Sequence, residues 1–302
     1  MKVGSLCSGI GGVELALGTA IPEAQPAWFC ESDPAPATVL RHRFPGVDVH
    51  GDVRTLDWHN LEPVDVVTAG YPCQPFSQAG KRLGADDPRH LWPTIAEGVR
   101  NLRPAIVFLE NVRGHVQRGL QEVIADLADM GYDAAWGCVR ASDAGLPHRR
   151  ERVFIVATDS DRSRLQRTES TQRRLMSAWS DPSAPNASGD GFSGSEEQNI
   201  GPQTRVEASF GHDAVRRDMG PYEQAVARWE RFFRPAPDPC DEQGRLNPSF
   251  VEWMMGFPQG WVCDVLARRP ALKALGNAVA PRQAILAWAL IVGLNNNIKG
   301  AA

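Results

Sequence analysis

Short apolar runs alternate with longer stretches in which apolar residues recur every three or four positions. The runs predict strands over Val3 to Cys7, Ala27 to Cys30, Val64 to Ala69, Ala105 to Leu109, Ala135 to Arg140 and Arg152 to Ala157. The longer stretches predict helices over Pro34 to Arg43, Trp92 to Leu102 and Leu120 to Met130, the last stopped by Gly131. Strand and helix in alternation predict an α/β fold, a mostly parallel Rossmann-like sheet with helices on both faces.

The pattern fails after Ala157. From Thr158 to about Gly211 the chain is rich in Ser, Asp, Arg, Gln, Gly and Pro, with too little apolar surface to offset its ordering entropy. Residues 160–211 are therefore expected to form a flexible insert. Aromatics return at Tyr222, Trp229, Phe232 and Phe233, predicting a small ordered unit. An apolar block from Pro248 to Asn295 ends in a helical run, Arg282 to Leu294. This divides the chain into a first domain over residues 1–157, a region over 158–247 and a C-terminal block over 248–302 that returns to the first domain.

Composition adjusts this picture only slightly. The chain has 302 residues, 42% hydrophobic and 23% charged, enough for one sizeable core and a smaller appendage. The net charge of −4 counts mildly against a nucleic-acid partner, but binding needs only a local basic face. Arg149, Arg150, Arg152, Arg162, Arg164, Arg167, Arg173 and Arg174 form such a cluster, or else a solvated linker. The six cysteines are dispersed without CxxC pairs, which predicts neither a zinc site nor a disulfide framework. No stretch approaches the ~20 apolar residues of a membrane span, and Met1 to Leu6 is too short for an export signal. A monomer in a reducing cytoplasm is expected.

Four places carry chemistry. Ser8-Gly9-Ile10-Gly11-Gly12 follows the first strand and precedes a helical pattern, a turn at which backbone approaches a ligand closely. Glu31 ends the second strand, placed to accept from ribose hydroxyls, and Asp52 follows a third strand region, placed to receive an adenine amino group. Together they predict an adenosine-containing cofactor. The glycine spacing lacks the full GxGxxG of a dinucleotide site. Next, Cys73 lies between Pro72 and Pro75 on a stiff turn after the strand ending at Ala69, unlike a core cysteine, which sits in an apolar run. Glu110-Asn111-Val112 ends the strand Ile106 to Leu109. Its carboxyl is either a proton donor of raised pKa or a cap or ion-pair member. Finally, His148-Arg149-Arg150-Glu151-Arg152 leads into a strand whose alternation puts Arg150 and Arg152 on one face, as cations aimed at the thiol and a substrate or as a charged strand start.

In this order these motifs resemble the DNA cytosine-5 methyltransferase family of bacterial or phage type. Arg245 to Pro258 resembles the segment closing that family's DNA-reading domain, and Leu275 to Pro281 its last cofactor-binding turn. The resemblance covers Val3 to Ala157 and Arg245 to about Leu294. It implies a methyltransferase sheet with a small target-recognition domain, an S-adenosylmethionine cofactor and double-stranded DNA as substrate, and leaves open a cognate restriction endonuclease as partner or an orphan or phage enzyme without one. It makes Cys73 the nucleophile, Glu110 the group at ring nitrogen 3, Arg152 the holder of the base oxygen and Arg150 a support for the thiolate or a phosphate. Ser8 to Gly12, Glu31, Asp52, Pro72, Asn277 and Val279 hold the cofactor on this reading. Gln74, Ser77, Lys81 and Arg82 face DNA, the last two on a lid between Ser77 and His90. Cys7 stands where the family usually has an aromatic, and His148 replaces a usual Gln. Two rivals share the catalytic half or the sheet: a transfer-RNA cytosine methyltransferase and a Rossmann oxidoreductase. A third, a DNA-binding protein with a dead catalytic domain, should lack Cys73, Glu110 or Arg152.

Overall fold

The computed structural model describes residues 1–72, 91–160 and 219–299. The expected insert at 160–211 lies almost wholly outside the described residues, as do Cys73, Gln74, Ser77, Lys81 and Arg82.

Seven strands form one sheet: β1 (Lys2–Leu6), β2 (Gln25–Cys30), β3 (Asp48–His50), β4 (Val66–Gly70), β5 (Ile106–Val112), β6 (Tyr132–Arg140) and β7 (Glu151–Asp159). Their spatial order is β3-β2-β1-β4-β5-β7-β6. The first five run parallel, and β7 runs antiparallel to both β5 and β6. The sheet is thus mixed, with one reversed strand next to its edge.

Strands β4, β5 and β7 show why both faces of the sheet are covered there. Val66 packs on one side and Val67 on the other; Phe108 faces opposite to Val107 and Leu109; Phe154 and Val156 oppose Ile155 and Ala157. This period of two serves two separate cores. One core holds α1 (Gly12–Ala20) and α8 (Pro281–Lys299), through Val13, Leu17, Ala287 and Trp288. The other holds α3 (Trp92–Leu102) and α4 (Leu120–Asp129), through Trp92, Ile95, Val123 and Leu127.

Local signals set the helix starts. Asp33 caps α2 (Pro34–Arg43) by accepting from Ala35 N, with Pro34 at the first helical position. Asn247 caps α6 (Pro248–Met254) in the same way, onto Ser249 N, and Pro248 follows it. The aromatic return is α5 (Glu223–Phe232), whose Trp229 is buried against Trp253. Buried Glu252 then organises the following turn, accepting from the amides of Gly260, Val262 and Cys263 at 2.7, 2.7 and 3.1 Å. α7 (Arg268–Asn277) leads through Ala278 to Ala280 into α8. By length and apolarity Arg268–Val292 is long enough to cross a membrane, against the sequence expectation, but 61% of its most apolar window is buried in the fold. Its apolarity is that of a core element.

Candidate active site

The strand order reverses between β1 and β4, both of which end at the same edge. A crevice opens where neighbouring connections leave in opposite directions, the usual place for a ligand in an open α/β sheet. A cleft of about 620 Å³ lies there, within the few hundred to ~1,000 Å³ typical of small-molecule sites.

The Gly-rich turn follows β1 directly. Cys7, Gly9 and Gly11 have φ of 50°, 56° and 76°, so the chain reverses through left-handed backbone. Ser8 pins the turn, its hydroxyl donating to Ser5 O and Cys30 O at 3.0 and 3.2 Å. Cys7 and Gly9 line the cleft, while Ser8, Ile10 and Gly12 line a smaller recess behind it. Ile10 turns its side chain into the core and its carbonyl accepts from Trp261 Nε1 at 2.9 Å. Gly11 lines neither space, and heads α1 against Phe44. At Gly12 a side chain is excluded, since a Cβ would lie 2.2 Å from Val279 O.

Glu31 and Asp52 stand on the cleft wall with Pro72. Glu31 accepts from Gly9 N and Asp33 N, both at 2.8 Å, and so ties the turn to the end of β2. Burial pushes its carboxyl up, against the pull of those amides. Asp52 is held by Arg54, whose Nε lies 3.0 Å from Oδ1, and this lowers its pKa. Arg54 also lines the cleft; nothing in the local pattern distinguished it from an ordinary exposed arginine. Asn277 lies between the cleft and the recess, and Val279 lines the recess.

The charged centre lies across the cleft. Glu110 sits within β5, one strand from Gly70 of β4 in the parallel register. The strand continues through Asn111 and Val112, because β7 keeps pairing with it. Arg152 is opposite Val112, two residues along from Glu110, a diagonal that long side chains span. Its Nε lies 2.8 Å from Glu110 Oε1, with 17% of one side chain and 10% of the other exposed. Burial raises the Glu110 pKa, while Arg152 and then Arg150 oppose that rise. Gly70 lies directly beside Glu110, where a Cβ would make an ordinary 3.5 Å contact with Oε2.

Two neighbours of this pair were not singled out from the sequence for what they do. Asn111 Nδ2 donates to Tyr71 O at 3.1 Å, fixing the backbone that runs into Pro72 and then Cys73. Tyr71 is itself anchored, its hydroxyl 3.0 Å from His115 Nε2 in a buried contact. Arg150 lines the cleft with Arg152 and is tied to the C-terminal block. Nη1 donates to Gly276 O and Nη2 to Ala278 O, both at 2.7 Å. Burial brings its pKa down to about 10. Gln283 holds the same place from α8, donating to Val139 O and Arg150 O at 2.8 and 2.9 Å. Arg149 is exposed, and the later arginines of the cluster lie outside the described residues.

This architecture is shared with solved methyltransferases. The structure of the Schizosaccharomyces pombe protein described as S. pombe Dnmt2 methyltransferase superposes with a TM-score of 0.57 at 17% identity, over 98% of this chain and 99% of that one. At that identity the likeness is one of fold. The family model for C-5 cytosine-specific DNA methylases matches residues 1–286, and the chain belongs to that family. Among curated relatives, the type II methyltransferase M1.ScrFI of Lactococcus lactis subsp. cremoris is 28% identical over 92% of this chain and 75% of its own length. The type II methyltransferase M2.BsuMI of Bacillus subtilis (strain 168) is 37% identical over 52% of this chain and 42% of its own length. The chain thus spans less than half of one of these relatives and three quarters of the other.

Proposed function

We propose that this chain is a DNA cytosine-5 methyltransferase that methylates a flipped cytosine in duplex DNA through a covalent bond to Cys73. The observation that carries the reading is the buried Glu110–Arg152 pair on the cleft wall, beside the Gly70–Pro72 segment that leads into Cys73.

The residues present suit S-adenosylmethionine. The turn from Ser8 to Gly12 admits close approach. Glu31 and Asp52 offer carboxylates on the cleft wall, and Pro72, Asn277 and Val279 complete the surroundings. When bound, the cofactor supplies an electrophilic methyl group that carbon 5 of the base accepts.

The chain's own residues prepare that base. A stacked cytosine cannot reach the cleft, so it is flipped out at a cost of a few kcal/mol. The Cys73 thiolate adds to carbon 6. Glu110, kept toward its neutral form by burial, holds or protonates ring nitrogen 3, so electron density moves onto carbon 5. Arg152 holds the base oxygen while still touching Glu110. After methylation a base removes the carbon 5 hydrogen, and Cys73 leaves as thiolate. Gln74, Ser77, Lys81 and Arg82 face the DNA, and residues 158–247 read its sequence.

Bisulfite sequencing of DNA from cells expressing the chain tests the reading. Protection of cytosines within one short recurrent sequence is expected. Unprotected DNA together with methylated transfer RNA would overturn it.

A further inference from the structure

The chain leaves the sheet shortly before Cys73. β4 pairs with β1 as far as Ala69 and with β5 as far as Gly70, and the ladder stops there. Tyr71 and Pro72 lie past it, so side-chain contacts must hold them. Pro72 has its own φ fixed by its ring, and Cys73 follows it directly. The chain therefore enters Cys73 from wherever Tyr71 is held.

Tyr71 is held at both ends. Its carbonyl accepts from Asn111 Nδ2 at 3.1 Å. Its hydroxyl lies 3.0 Å from His115 Nε2, and the two rings meet edge to face with centroids 5.6 Å apart. Trp92 packs on the Tyr71 ring at 6.0 Å and is itself tied to α4, its Nε1 donating to Asp126 Oδ2 at 2.7 Å. His115 is 2% exposed and belongs to the short turn Arg113–Gln117 between β5 and α4. Its carbonyl accepts from Arg118 N and Gly119 N at 3.1 and 3.0 Å, which closes that turn. Gly119 makes room for the imidazole, because a Cβ there would fall 2.5 Å from Cε1 and 2.8 Å from Nδ1. An imidazole withdrawn from water is costly unless its nitrogens are bonded. Here Nε2 is bonded to the hydroxyl of the residue that precedes Pro72 and Cys73.

We propose that His115 is a positioning residue for methyl transfer: through the Tyr71 hydroxyl it fixes the segment that presents Cys73 to carbon 6 of the base. The inference rests on the reading of Cys73 as the nucleophile. His115 does not line the cleft, whereas Tyr71 does, so His115 acts through Tyr71. A single bond to the Tyr71 carbonyl would leave the residue free to pivot about that point. The second attachment, at the far end of the ring, removes the pivot. Attack needs the reacting atoms about 3–3.5 Å apart and aligned, and a displacement of about 1 Å costs on the order of 10²-fold in rate.

Single-turnover transfer from tritiated S-adenosylmethionine to unmethylated genomic DNA, with the whole chain in excess, tests this alongside thermal unfolding. Tyr71→Phe and His115→Leu should each slow transfer by about 10- to 100-fold, while the Kd for S-adenosylmethionine changes by less than about twofold. Each should also lower Tm, because one polar group stays buried without the other. The double variant replaces both polar groups by apolar ones, so it should regain much of the Tm. It should regain no rate, and be no slower than the slower single variant. A merely structural pair would regain rate and Tm together, and that result overturns the proposal. Single-variant rates within about twofold of wild type overturn it too. If His115→Leu does not fold, Tyr71→Phe and the double variant still decide. A wild type that transfers no methyl group to duplex DNA defeats the Cys73 reading and this inference with it, whereas an active wild type with unimpaired variants defeats this inference alone.

Discussion

Glu110 and Arg152 meet across two antiparallel strands, with Oε1 and Nε 2.8 Å apart and both side chains largely withdrawn from water. Neither charge is comfortable alone there. Taking one partner from a buried pair typically costs about 3–5 kcal/mol, because the other is left unpaired. Arg152→Met should therefore lower unfolding stability by roughly that amount, and the double variant Arg152→Met/Glu110→Gln should recover much of it. Urea unfolding measures both. A loss under about 1 kcal/mol for Arg152→Met would mean that the pair behaves as a solvated one. Glu110→Gln alone should keep cofactor binding and slow transfer by ~10²–10⁴, the range for a lost general acid.

Arg150 makes a separate prediction. Its two bonds to Gly276 O and Ala278 O hold the turn that carries Asn277 and Val279. Arg150→Met should release that turn, weaken S-adenosylmethionine binding by about tenfold or more, and speed amide exchange over residues 275–280. Arg150→Lys, with one ammonium for two carbonyls, should fall between. If affinity stays unchanged while kcat collapses, Arg150 acts on the thiolate or a phosphate instead.

Much of this architecture was legible beforehand, and the failures have physical causes. The span Pro34–Arg43 was readable because its start is encoded locally, by Asp33 and a proline at the first helical position. The helix at Trp92–Leu102 was readable from its periodicity. β5 was read too short, since Glu110 and Asn111 look like a strand end until β7 is known to pair beside them. β3, only Asp48–His50, is too short and polar to show a period. The motifs at Glu31, Glu110 and Arg152 were visible as residue types at strand ends. The partners of Arg150 were not, because two carbonyls 126 and 128 residues away leave no trace in the local pattern.

His148 gives a pH dependence. Burial first, and Arg150 next, lower its pKa to about 4 from 6.5, while a bond to the Met254 backbone opposes them; Nε2 is buried without a partner. The folded chain therefore binds fewer protons than the unfolded chain between about pH 4 and 6.5. The stability due to neutral His148 is fully present above pH 6.5 and is lost as pH falls toward 4. The whole change is at most roughly 3–4 kcal/mol, at 1.36 kcal/mol per pKa unit. His148→Gln should flatten the fall of Tm across that window. An unchanged slope would place the acid sensitivity in other groups.

The most direct test of the central claim is covalent capture. A duplex carrying 5-fluorocytosine at the target position replaces the hydrogen that must leave, so the adduct formed after methyl transfer should persist. Incubated with the chain and S-adenosylmethionine, then digested and analysed by mass spectrometry, it should yield one cross-linked peptide, modified at Cys73. Cys73→Ala should yield none while still binding the cofactor. An adduct at Cys7, Cys30, Cys138, Cys240 or Cys263, or wild-type activity in Cys73→Ala, would contradict the account.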